Sequence, residues 1–180
     1  MVTAARRAEI EEVDRFLAES KTLSEGLPPW SDSHIPGRLS AAWPVADQDG
    51  VVREGTRLAL ICKASDTSYL SVTLLLRGNR IYSVDLVPAG QRKTNGPMAR
   101  YLGLPPVVVG PHFHRWEDNR EHALANGAGD MPHRRETPPL LVRLPHALTA
   151  LCQATNIILT PEQASFDVPP QGTLPWMLGG

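Results

Sequence analysis

The chain has 180 residues, with 42% apolar and 21% charged side chains and a net charge of −1. That length suits one domain, alone or with an extended arm, able to bury a core without disulfide or metal staples. The near-neutral balance excludes a strongly basic nucleic-acid coat and a polyacidic tail, and the 17 prolines and 14 glycines make the chain turn-rich but not low-complexity.

Residues 4–20 read as a helix, with Ile10, Val13, Phe16 and Leu17 on one stripe, Thr3 as the N-cap, and Asp14 and Glu19 on the solvated face. No apolar run follows Arg6-Arg7, so a signal peptide is not expected. No run of 18 apolar residues predicts a membrane span. Cys62 and Cys152 lack partners at metal-ligand spacing and read as buried thiols of a cytoplasmic protein. Gly26-Leu27-Pro28-Pro29-Trp30 opens a loop, and Trp30 and Trp43, both beside prolines, are expected to cap a core.

Strands are expected over 38–45 and 51–63, across the turn Asp47-Gln48-Asp49-Gly50, and over 67–77 and 81–88. A two-residue loop would pair Leu74 with Ser83 and Val72 with Asp85, mixing polar and apolar residues on one face. A three-residue loop, Gly78-Asn79-Arg80, with a bulge is therefore expected and would pair Leu76 with Tyr82, Leu74 with Val84 and Val72 with Leu86. Leu70 would join them on a wholly apolar face, leaving Thr73 and Asp85 on the other. A long connection then reaches Val107-Val108-Val109 and a further strand over His112–Trp116. Residues 117–139 read as a polar surface loop. Leu140–Arg143 reads as a short strand, Pro145 opens a helix ending at Asn156, and 157–159 add a short strand. The expected fold is α+β: an N-terminal helix, an antiparallel sheet of about five strands and a C-terminal helix within a domain at 1–160. A proline-rich arm would follow at 161–180, anchored by Leu174 and Trp176.

Four of six histidines, His112, His114, His122 and His133, fall within 22 residues. Residues two apart on a strand share a face, so His112 and His114 should project together with Phe113 behind them. Three readings follow. The leading one is a non-enzymatic module binding a protein, or nucleic acid, through 110–135, with Trp116, Arg120, His133, Arg134 and Arg135 as contacts and no cofactor. The second is a metal-free, toxin-like ribonuclease with His112 and His114 as acid and base and Arg115 holding phosphate. Between residues 90 and 135 seven basic side chains, among them Lys93 and Arg134, face four acidic ones, a local +3. The third is a two-histidine metal half-site completed by His122, His133, Glu117, Glu121 or Asp118.

The segment Pro111-His112-Phe113-His114, the acidic helix Ala8–Glu19 ahead of a hairpin, and Asn156-Ile157 after a closing helix resemble a family of small uncharacterised proteins of bacteria, phages and mobile elements. The resemblance covers residues 5–160 and departs from the pattern at 117–139 and in the tail. It implies a phage-like, defence or counter-defence setting and assigns no catalytic role.

Overall fold

The structure is a computed structural model that describes residues 2–139 and 141–169. Helix α1 (Ala4–Ala18) precedes strands β1 (Lys21–Leu23), β2 (Ser31–Asp32), β3 (Arg38–Ala46), β4 (Val52–Lys63), β5 (Asp66–Leu76) and β6 (Asn79–Leu86). A ribbon of β7 (Arg92–Thr94) and β8 (Val107–Val109) encloses a 3-10 helix, Pro97–Leu102. Next come β9 (His112–His114), α2 (Trp116–Asn126), β10 (Arg135–Glu136), α3 (Leu144–Ala154), β11 (Ile157–Ile158) and α4 (Pro161–Ala164).

The fold is α+β, but the main sheet has nine strands, not about five. Its order is β10-β9-β6-β5-β4-β3-β1-β11, with β2 paired to β3. The unexpected strands β1, β2 and β10 are two or three residues long, too short for an alternating pattern to register, while β11 lies within the short strand expected over 157–159. Pairing is antiparallel except between β1 and β11, among the described residues.

One sheet face is apolar: Leu58, Leu60, Leu70, Val72, Leu74, Tyr82, Val84 and Phe113 are all under 5% exposed. Helix α3 covers it through Leu144, Ala147, Leu148, Leu151 and Cys152, the i, i+3, i+4, i+7, i+8 stripe of an amphipathic helix. Burying each large aliphatic side chain there contributes about 1.5–3 kcal/mol. Helix α1 adds Ile10, Val13 and Phe16 to the same core, and Thr3 caps it as expected. Both cysteines are free and buried, and desolvation pushes their thiols up to about 11 (Cys62) and about 12 (Cys152). At the other end of α1, Lys21 is buried and donates from Nζ to the carbonyls of Phe16, Leu17 and Glu19. Asn156, in the left-handed region at φ 55°, ends α3 as expected and also donates to the Leu17 carbonyl.

The β5–β6 hairpin keeps the expected apolar face but not the expected register. A two-residue turn, Arg77-Gly78, both with positive φ, joins Leu76 to Asn79. A bulge at Ile81 then shifts the pairing to Leu74↔Tyr82, Val72↔Val84 and Leu70↔Leu86. The two registers differ by two residues along the strand, which leaves every side chain on the same face, so face segregation alone does not separate them.

Three further expectations are corrected. Residues 116–126 are helix, not the end of a strand followed by loop; α2 buries Trp116, Asp118, Asn119 and Ala123, a half-polar stripe without an apolar period. Residues 141–143 are not strand, and Leu140 lies outside the described residues. Residues 161–168 belong to the body and not to an arm: Phe166 is 8% exposed, stacks on Trp30 at 5.7 Å and meets Trp43 edge-on at 4.8 Å. The remainder of the proposed arm, with Leu174 and Trp176, lies outside the described residues. No helix among the described residues is long and apolar enough to cross a membrane.

Candidate metal centre

The second sheet face carries the polar set. Antiparallel register aligns Ser71, Asp85 and His112 across β5, β6 and β9, with Thr73, Ser83 and His114 in the neighbouring row. His112 and His114 share this face, as their spacing predicts, and their ring centroids are 5.3 Å apart. Both are buried, at 1% and 2% exposure. The β7–β8 ribbon overhangs them, fastened by Asn95, whose side chain bonds both the N–H and the carbonyl of Arg134 at 2.8 Å.

Asp85 Oδ2 lies 3.6 Å from His112 Nε2 and 3.3 Å from His114 Nε2, and the potential ligand atoms of the three residues all fall within 4.8 Å of one another. The far ring nitrogens are fixed. His112 Nδ1 faces the Gly110 carbonyl at 3.0 Å, and His114 Nδ1 faces the Met131 carbonyl at 2.6 Å. A carbonyl only accepts, so each Nδ1 carries the proton and donates it. Each Nε2 then faces a carboxylate oxygen, so a positive charge, either a proton on the ring or a metal ion between the groups, belongs there. Ser71 Oγ donates to Asp85 Oδ1 at 2.5 Å and sets the carboxylate's orientation.

The three groups are electrostatically coupled. Burial raises the Asp85 carboxyl, but the hydrogen bond and charge of His114, the Ser71 hydroxyl and His112 outweigh it and bring the group down to about 2. Burial lowers His112 below its ordinary value, with His114 and Arg134 adding to that; the Gly110 carbonyl and Asp85 oppose it. Two ligands bound at about 2.0–2.1 Å in tetrahedral geometry lie about 3.3 Å apart, close to the two N–O separations here.

A cleft of about 560 Å³ opens onto this cluster, with Asp85 and His112 in its wall. It is also lined by Arg38, Lys63, Arg80 and Lys93, with Tyr69 and Gln91. Arg134 stands behind it: its Nη1 donates to the Thr94 and Pro132 carbonyls, its Nε is buried without a partner, and burial lowers its value, with Arg80's charge adding and Asp85's opposing.

The other residues singled out from the sequence go elsewhere. Arg115 follows Phe113 to the opposite side of the strand, its guanidinium 4.9 Å over that ring, and so does not share a site with the histidines. Trp116 Nε1 donates to Asp14 Oδ1 at 2.7 Å, and Arg120 grips the same carboxylate with Nε and Nη2. Asp14 is therefore an anchor for α2, not a solvated charge. Arg135 is paired with Asp118 at 2.6 Å. His133 is buried beside His122, centroids 5.9 Å apart, and His122 meets Asp130 at 2.9 Å. None of His122, His133, Glu117, Glu121 or Asp118 completes the histidine pair; Asp85 does. Sequence spacing missed Asp85 because β6 and β9 are joined only through the intervening ribbon. Its position on the polar face of the hairpin was the available signal.

In comparisons with known proteins, the chain matches no family model, no curated protein and no solved structure.

Proposed function

We propose that Asp85, His112 and His114 hold one divalent transition metal ion and that the protein is a metal-dependent hydrolase. The observation that carries this reading is the convergence of two Nε2 atoms and one carboxylate oxygen, with both Nδ1 atoms held against backbone carbonyls. Outer hydrogen bonds of this kind fix the tautomer and aim of metal-binding histidines. Two histidines and a carboxylate leave coordination positions open for water and substrate, the ligand count of a catalytic site more than of a closed structural one. A bound ion would supply a hydroxide near neutral pH by acidifying its water. The chain's own residues would hold the ion through Asp85, His112 and His114 and present one open side to the cleft.

The interaction-module reading loses three of its contacts, since Trp116, Arg120 and Arg135 are engaged with Asp14 and Asp118. The metal-free ribonuclease reading loses Arg115. The test is titration of chelator-stripped protein with Zn²⁺, Mn²⁺ and Fe²⁺ by calorimetry, with elemental analysis of the loaded product. One ion per chain is expected, with binding weakened at least 100-fold in Asp85→Asn and His114→Gln variants that keep the wild-type circular dichroism. Wild-type protein that binds none of the three ions, or variants that bind as tightly as wild type, would overturn the reading.

A further inference from the structure

We infer that the cleft above Asp85, His112 and His114 takes a small dianionic phosphate monoester, which rests on the metal-centre reading for its chemistry but not for its binding. The observation is one of converging charge. Arg38, Lys63, Arg80 and Lys93 line the cleft and Arg134 backs it; none has a carboxylate at ion-pair distance among the described residues. Lys63 does face its register partner Asp66, whose carboxyl is held down by the Ser68 hydrogen bonds and also by the Lys63 charge. Elsewhere among the described residues other cations also lack an ion-pair partner, Arg57 and Arg92 for example, so what marks the cleft is that four cations converge on one wall. Asp85 is the sole carboxylate in the cleft wall, and it belongs to the ligand set. A neutral substrate leaves this charge uncompensated; a dianion balances it.

The cations are graded by distance from the cluster. Arg80 shares an acceptor with His114, since its Nη2 reaches the Met131 carbonyl at 3.4 Å. Lys93 extends from the overhanging ribbon, in the same cleft wall as Gln91, whose buried Oε1 has no partner. Lys63 on β4 and Arg38 on β3 are register partners, two and three strands from Asp85 respectively. With strands about 4.8 Å apart, that puts the Lys63 backbone on the order of 10–12 Å from the Asp85 backbone. A phosphoryl group beside Asp85 would meet Arg80 and Lys93, while the body of the ligand would extend toward Tyr69, Lys63 and Arg38. A volume of about 560 Å³ matches a ligand of mononucleotide size and not a folded polymer.

The reaction would be ordinary hydrolysis. A water, made more acidic by the ion that Asp85, His112 and His114 would hold, would bond through its oxygen to phosphorus as the ester P–O bond breaks. The leaving oxygen acquires one proton, so that ester plus water gives alcohol plus inorganic phosphate. Arg80 and Lys93 would neutralise charge on the non-bridging oxygens as it shifts.

The test uses full-length protein, stripped and Zn²⁺-loaded, with adenosine monophosphate as the binding probe. p-Nitrophenyl phosphate, p-nitrophenyl acetate and a single-stranded RNA 12-mer serve as substrates. Expected are adenosine monophosphate binding to the loaded protein, about tenfold weaker binding in each of Arg80→Gln and Lys93→Gln, and hydrolysis of the phosphate ester over the acetate. Both variants should keep one metal per chain, which separates loss of the anion site from loss of the ion. Retained metal with cation variants that bind the probe like wild type would overturn the phosphate inference and leave the metal centre standing. Faster turnover of the acetate, or cleavage of RNA without turnover of the monoester, would do the same. Protein that binds the probe but no metal would uphold the anion site and remove the hydrolase.

Discussion

His114 and Arg80 meet at one acceptor: the Met131 carbonyl takes Nδ1 of the former at 2.6 Å and Nη2 of the latter at 3.4 Å. A single backbone oxygen thus aims His114 Nε2 at Asp85 and holds a guanidinium beside the same cleft. Met131 itself is fully buried, and its neighbour His133 is held through both backbone groups by Asn119 of α2, so the acceptor is fixed by the packing of α2.

Ser71 should act as a positioning residue. Its hydroxyl donates to Asp85 Oδ1, the oxygen turned away from the histidines, and so fixes which oxygen faces them. Ser71→Ala is expected to lower metal affinity about 10–100-fold, the range for loss of an outer-shell hydrogen bond. Thermal stability should move little, because Ser71 is only partly buried. Calorimetric metal titration beside a melting curve checks both halves.

Acid should weaken both the apo fold and metal binding. Burial holds the His112 value below the ordinary one in the folded protein, while the unfolded chain takes up its proton from about pH 6.5 downward. The unfolded state then binds more protons in that window, so stability falls as pH drops through it. His133, also lowered by burial and by His122, contributes in the same direction. Asp85, lowered to about 2, contributes stability above its unfolded value near 4 that is lost only as pH falls below that. Melting temperatures of stripped protein from pH 7.5 to 5 should decline, and the decline should be shallower in His112→Gln. A slope unchanged by that substitution would show that His112 is not the titrating group.

Much of the fold is legible in the sequence where one face repeats. The β3–β4 pair, the apolar face of β5–β6, α1 and α3 all follow from alternating or helical spacing, and so does the shared face of His112 and His114. What failed shares a physical cause. Helix α2 is held by Asp14, Asn119 and Arg120 through specific hydrogen bonds, and a half-polar buried stripe has no hydrophobic period to read. Asp85 reaches β9 by a long-range pairing that no local spacing encodes. The β5–β6 register depended on a bulge, which shifts pairing without changing which face a side chain occupies.

Asp14 should matter well beyond a surface charge. It accepts from the indole of Trp116, 3% exposed, and from two nitrogens of Arg120, so it fastens α2 to α1. Asp14→Ala leaves a buried indole N–H without an acceptor, at about 1–3 kcal/mol. The neighbouring Asp14→Asn keeps an acceptor and should recover part of that. Urea denaturation of the two variants gives the comparison; equal midpoints for Asp14→Ala and wild type would refute the anchor.

Gly55 offers the sharpest test of the hairpin geometry. It sits within β4 at φ +70°, and its carbonyl accepts from Gly78 N at 2.9 Å in the β5–β6 turn. A Cβ there would lie 2.9 Å from Gly78 N and 3.0 Å from the Arg77 carbonyl carbon, all backbone atoms that cannot swing aside. Gly50 has a similar φ of +77° but open space around it. Gly50→Ala therefore carries only the left-handed penalty, about 1 kcal/mol. Gly55→Ala adds an overpacking cost of about 1–3 kcal/mol. Denaturation midpoints should fall further for Gly55→Ala than for Gly50→Ala, and equal losses would mean that the turn does not lie against β4 as described. Because the turn leads through the Ile81 bulge into Asp85, the Gly55→Ala variant should also bind metal more weakly at temperatures where it remains folded.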